Sequence, residues 1–168
     1  MSVDPDRGDD IAFFATYIDE NWEESIPQRD VDIPKPEIVA EGERDRRATN
    51  FSDNDIVVVN DGGTVTYEPA SVGFRDYKVV APYDITVRTN KGYPRFDGTP
   101  ASVNYSGLTG EVRRLLDSLR FGFGPYDQVI VQTFDDNTSA YGADVFEAIW
   151  AIECIAYADP IAQSADIQ

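Results

Sequence analysis

The stretch from Asp84 to Arg120 constrains this chain most, because a strand pattern and a helix pattern follow one another within it. In Asp84-Ile85-Thr86-Val87-Arg88-Thr89-Asn90, Ile85, Val87 and Thr89 alternate with Asp84, Thr86 and Arg88. That alternation predicts a strand with one buried face. From Leu108 to Arg120, the residues Leu108, Val112, Leu115, Leu116 and Leu119 recur three and four apart and form one stripe of an amphipathic helix. Ser106 or Thr109 is the expected cap at its start, with Arg120 and Gly122 closing its end. The remaining elements are expected to cover or extend this unit.

Residues 1–8 read as a loose start. Asp9 or Asp10 is expected to cap a first helix running to about Glu24, with Ile11, Phe14, Tyr17, Ile18 and Trp22 as its apolar stripe and Pro27 as its stop. Between residues 28 and 54 periodicity is lost. Pro34 and Pro36 favour an extended path, and Glu41–Arg47 is a charge run, so this stretch reads as an extended arm or a solvated loop. Asp55–Asn60 is a dense β-branched run ended by Asp61-Gly62-Gly63, and Thr64–Glu68 follows at once, which predicts a β-hairpin. A further extended segment spans Arg75–Val80, with Pro82 breaking or bulging it. Residues 91–106 form a second long loop.

Asp127–Phe134 is the next expected strand. The segment 143–158 fits a period of two and also a period near 3.6. A strand is favoured, because alternation puts Glu147 and Glu153 on one face and lets the segment pair with 127–134 as a hairpin. The resulting fold class is α+β, a mainly antiparallel sheet packed against two amphipathic helices, with long loops. Residues 9–159 are expected to form a single domain, with 160–168 as a C-terminal tail.

Thirty-one acidic residues against 14 basic ones give the 168-residue chain a formal charge of −17. The acids are scattered from end to end, unlike a single acidic tail. Such self-repulsion destabilises a compact state at ordinary salt. In molar salt the Debye length falls to about 3 Å and the repulsion is nearly erased. The charge therefore reads as adaptation to a salt-saturated cytoplasm, the alternative being a functional acidic surface.

The chain has no histidine, and Cys154 is its single cysteine. These absences exclude a Ser-His-Asp or Cys-His arrangement within the chain, a Cys/His zinc site and an intramolecular disulfide. The acid pairs Asp9/Asp10, Glu23/Glu24 and Asp135/Asp136 are what chance places in so acidic a chain, and Asp53–Asp55 lacks the spaced ligands of a calcium loop. Neither glycine-bearing segment, Gly107–Gly110 nor Phe121–Gly124, is followed by the lysine of a phosphate cradle. Cys154 reads as a buried inert thiol, and Trp22 and Trp150 as core. No catalytic, cofactor-binding or metal-binding residue is expected, and no cofactor. No apolar run approaches the ~20 residues that span a bilayer, and Met1–Pro5 does not read as a signal peptide, so no membrane partner is expected. The candidates for subunit contact are Arg44, Arg46 and Arg47 on the arm, and Tyr93, Arg95 and Phe96 on the second loop.

The order of elements, with the Asp84–Thr89 strand, the segment Glu111-Val112-Arg113-Arg114-Leu115-Leu116 and the step Pro125-Tyr126-Asp127 into the penultimate strand, resembles the tail terminator, or tail-completion, proteins of tailed viruses. The likeness spans about residues 10–158. It implies a mixed α/β fold and a homohexameric ring that ends the tail tube and joins it to neck or connector proteins, with DNA passing through unbound. It implies no cofactor and no catalytic residue. The acidity suggests a virus of a salt-loving archaeon, with the protein assembled in the host cytoplasm and carried in the virion. Another neck or tail component (a stopper, adaptor or tube protein) remains open, as does a small halophilic host binding domain.

Overall fold

The computed structural model describes residues 5–40, 55–69, 77–90, 99–136 and 145–158. In chain order the elements are α1 (Arg7–Asn21), β1 (Glu37–Ala40), β2 (Ile56–Asp61), β3 (Thr66–Pro69), β4 (Tyr77–Asn90), α2 (Ala101–Ser118), β5 (Gln128–Asp136) and β6 (Val145–Ala158). They form an α+β fold, a six-stranded and mostly antiparallel sheet in the order β1-β2-β4-β6-β5, with β3 also on β4. Among the described strands β1 and β2 alone pair in parallel.

Alternation along β4 divides the molecule into two faces. Val79, Ala81, Tyr83, Ile85 and Val87 point one way, opposite Ala156, Cys154, Ile152, Trp150 and Ala148 of β6. Both helices pack on this face. Ile11, Phe14 and Ile18 of α1 and Leu108, Val112, Leu115 and Leu116 of α2 complete a single core with them. On the other face Arg88 and Glu147 stand directly opposite one another as a hydrogen-bonded ion pair, 3% and 2% exposed. Val39, Ile56 and Val58 form a small second cluster on that side. The strand expected over 143–158 is β6, and it pairs with β5 as a hairpin arm.

Four expectations are corrected. The first helix is capped by Asp6, whose Oδ1 accepts the Asp9 N–H at 3.0 Å, and it ends at Asn21 before Trp22 turns extended. The earlier cap frees Asp10 to turn inward. The second helix starts at Ala101, well before Ser106 and Thr109, and the Pro100 carbonyl accepts the N–H groups of Val103 and Asn104. Residues 101–106, expected in a loop, are therefore helical. Gly107 sits inside the helix because Ile33 packs on it, and a Cβ there would lie 2.1 Å from Ile33 Cδ1. The first part of the expected arm folds back on its own chain, since Ile33 packs on α2 and β1 pairs with β2.

The fourth is the hairpin expected at Asp61-Gly62-Gly63, which does not form. β2 and β3 do not pair with each other. Both pair with β4 in the same direction, β2 along 83–88 and β3 along 77–80. Asp61 faces Tyr83 and Thr66 faces Val80, so the four residues Gly62–Val65 stand opposite only Ala81 and Pro82. The glycines make a bulge in one interrupted edge. That bulge also explains a proline inside a central strand. The Pro82 carbonyl points at the bulge, where it accepts the Gly62 N–H at 2.9 Å. A residue's N–H and C=O point to the same strand edge, so the donor that Pro82 lacks is missing where the ladder is already broken.

At Gly62 a Cβ would lie 2.9 Å from the Tyr83 backbone. Gly62→Ala is expected to cost about 1–3 kcal/mol, the usual penalty of overpacking. A urea melt of the variant reads this directly, and an unchanged midpoint would contradict the bulge geometry.

Candidate interaction surface

Helix α2 carries the features that distinguish this molecule, and Glu111 fixes where the helix sits. The Glu111 side chain has no exposed surface. Arg114 grips it bidentately, Nε to Oε1 at 2.7 Å and Nη2 to Oε2 at 2.8 Å. The Glu23 N–H donates to Oε2 at 2.7 Å, and Arg29 Nη2 donates to Oε1. Burial alone would raise the carboxyl pKa. The Arg114 hydrogen bonds, the Glu23 N–H and the two guanidinium charges outweigh it and hold Glu111 below the ordinary carboxylate value. Arg29 Nη1 also donates to Glu23 O at 2.9 Å, and Arg114 Nη2 to Asn21 O at 3.2 Å. One carboxylate thus joins α2, the end of α1 and the chain leading to β1.

That junction sets the segment Arg29–Ile33 alongside the first half of α2. Ile33 is held by its N–H on Glu24 O at 2.8 Å and by Trp22 Nε1 donating to Ile33 O at 2.9 Å. Beside the Ile33–Gly107 contact the two walls part and leave an open hollow of about 490 Å³. Arg29, Asp30, Val31 and Ile33 line one side, and Ser102, Val103, Ser106, Gly107 and Gly110 of α2 the other. A Cβ at Gly110 would meet nothing within 4 Å, so that part of the wall is open space.

The other end of α2 carries a projection. Gly122 donates its N–H to Leu119 O at 2.8 Å and has φ +93°. Its Cβ would fall 2.1 Å from Tyr126 O, so the turn requires glycine. Phe121, just before this turn, is 80% exposed. The Arg120 guanidinium lies over its ring, 4.8 Å from the centroid. Among the described residues the other arginines and lysines have ion pairs or carbonyl partners, whereas Arg120 has neither. A third exposed feature is the outer strand β5, with Ile130 and Phe134 at its surface.

The buried acid Asp10 serves the core. Its Oδ2 accepts hydrogen bonds from the Tyr83 and Tyr126 hydroxyls. Burial first, and then Asp10, push both phenols far up, so they stay protonated as donors. Arg7 stacks on Tyr83 at 4.8 Å and donates to Pro82 O and Gly63 O, which pins the start of α1 to the bulge. Burial also raises the Cys154 thiol, so it stays protonated and a poor nucleophile.

Arg44, Arg46, Arg47, Tyr93, Arg95 and Phe96 lie outside the described residues. Among the described residues there is no group of three or more Cys, Asp or Glu placed to hold a metal ion, and no helix long and apolar enough to cross a membrane. No protein-family model and no curated protein matches the chain.

Glu111→Gln leaves two arginines facing a neutral amide in a buried site, and a loss of about 3–5 kcal/mol is expected at neutral pH. The folded state binds the Glu111 proton more weakly than the unfolded chain, whose carboxyl titrates near 4.5. The ionised group therefore stabilises fully above that range, and its contribution fades as pH falls through the lower folded value. Urea melts should show the gap between wild type and variant narrowing below about pH 4.5. A gap that stays constant into acid would contradict an ionised Glu111.

Proposed function

We propose that this chain is a structural virion protein, a tail terminator whose copies close into a hexameric ring that ends the tail tube and joins it to the neck. The observation that carries this reading is where the resembling segments fall. Asp84–Thr89 lies within β4, the strand at the centre of the sheet, and Glu111–Leu116 lies within α2, the helix packed on it. The likeness therefore rests on the framework of the fold. A ring subunit also needs two different patches, one for each neighbour. The hollow and the Arg120–Phe121 projection lie at opposite ends of one helix and differ in shape and charge, which suits that requirement.

The proposed partners are further copies of the chain, a tail tube protein and neck or connector proteins. An acidic inner wall would repel packaged DNA and let it slide without sticking. Among the described strands β5 lies at the end of the sheet with a partner on one side only, which favours a second reading in which the protein is another neck or tail component, a stopper, adaptor or tube protein that stacks by strand pairing.

Light scattering in molar potassium chloride tests the proposal. A closed assembly of six times the 18.7 kDa chain is expected. An open-ended series of sizes would favour the tube reading, and a persistent monomer at high concentration would contradict both in favour of a small host binding domain.

A further inference from the structure

We infer that Arg120 and Phe121 of one copy dock into the hollow between Arg29–Ile33 and α2 of the next copy, so that the chain assembles head to tail through the two ends of a single helix. The inference deepens the ring reading and rests on it. Phe121 is an aromatic side chain that the fold holds out in water at 80% exposure, on a turn where Gly122 has no tolerated replacement. Arginine and aromatic anchors dominate the energetics of protein interfaces.

Charge selects the occupant. Among the described residues Arg120 is an exposed cation without an acidic partner, and Asp30, on the wall of the hollow, is an exposed acid without a cationic partner. Seating Phe121 beside Gly110 brings these two charges to the same rim. A hollow of about 490 Å³ has room for a phenyl ring together with the stem of the arginine. The two features lie roughly 15–25 Å apart along α2 by its rise per residue. One copy therefore cannot fill its own hollow, and the contact must be heterologous.

A buried Phe covers about 150–250 Å², well short of a stable interface, so the knob is the anchor of a wider contact that other surface completes. Salt governs when that contact forms. Copies each carrying −17 repel at low salt. In molar salt the repulsion is screened beyond about 3 Å, while apolar burial remains.

The test uses two full-length variants. Phe121→Ser removes the knob, and Gly110→Leu fills the hollow at a position where an added Cβ meets nothing within 4 Å. Circular dichroism and the melting midpoint check that each variant folds. Sedimentation in molar potassium chloride should show each one alone dissociating with an apparent Kd raised at least about thirty-fold, the size of a hot-spot loss. Mixing them should restore one contact, between the intact knob of Gly110→Leu and the intact hollow of Phe121→Ser, and give a 1:1 dimer that grows no further. Variants that assemble like wild type, or a mixture with no dimer, would overturn the inference and leave the ring standing. A wild type that stays monomeric would overturn both.

Discussion

The Glu111 carboxylate is the interaction on which the arrangement around α2 depends. It is fully buried in an acidic chain and holds charge because four N–H groups, one backbone and three guanidinium, converge on it. It joins the end of α1, the Arg29–Ile33 segment and α2 at one charged point, beside the apolar contact of Ile33 with Gly107 and the Trp22–Ile33 hydrogen bond. Ile33 seats closely on Gly107 beside that junction, and the hollow is what remains where the walls separate.

The sheet supplies the complementary rigidity. β4 pairs with β6 over its whole length and with β2 and β3 in series on its other edge. The Arg88–Glu147 pair sits across the same two strands on the opposite face. Buried ion pairs cost desolvation and contribute stability only when their hydrogen bonds are complete. Glu111 and Glu147 both meet that condition through arginine. Among the described residues the buried Glu111 and Glu147 are each matched by arginine, whereas the buried Asp10 is held by the Tyr83 and Tyr126 hydroxyls.

Much of this was legible in the sequence where one period dominated. The alternation of Ile85, Val87 and Thr89 marked β4, and the leucine spacing marked the second half of α2. The segment 143–158 fitted two periods, and the shared face of Glu147 and Glu153 and the pairing with 127–134 settled it as β6. Glycines misled in two places. Asp61-Gly62-Gly63 has turn chemistry, yet nothing local states that the strands on either side share a partner in β4. Gly107–Gly110 read as a glycine-bearing segment without a phosphate cradle, beside the expected caps Ser106 or Thr109, whereas inside the helix Gly107 admits Ile33 and Gly110 opens the hollow. The four residues of β1, preceded by Pro34 and Pro36, were too short to show a period. Glu111 did leave a signal, because it stands three after Leu108 and four before Leu115 and so lies on the apolar stripe. Asp10, four before Phe14, lies on the other stripe in the same way. An acid on a buried stripe is the pattern that sequence reading passed over in so acidic a chain. Phe121 was hidden for a different reason, since exposure depends on the tertiary course of the turn at Gly122.

The central claim is that Glu111 fixes α2 so that its two ends present unlike surfaces to successive copies. Electron cryomicroscopy of the wild-type protein assembled in molar potassium chloride tests this most directly. The account predicts a closed ring with density for Phe121 of each subunit beside Gly110 of its neighbour and the Arg120 guanidinium facing Asp30. A ring whose hollows are empty and whose Phe121 side chains point to solvent would contradict it.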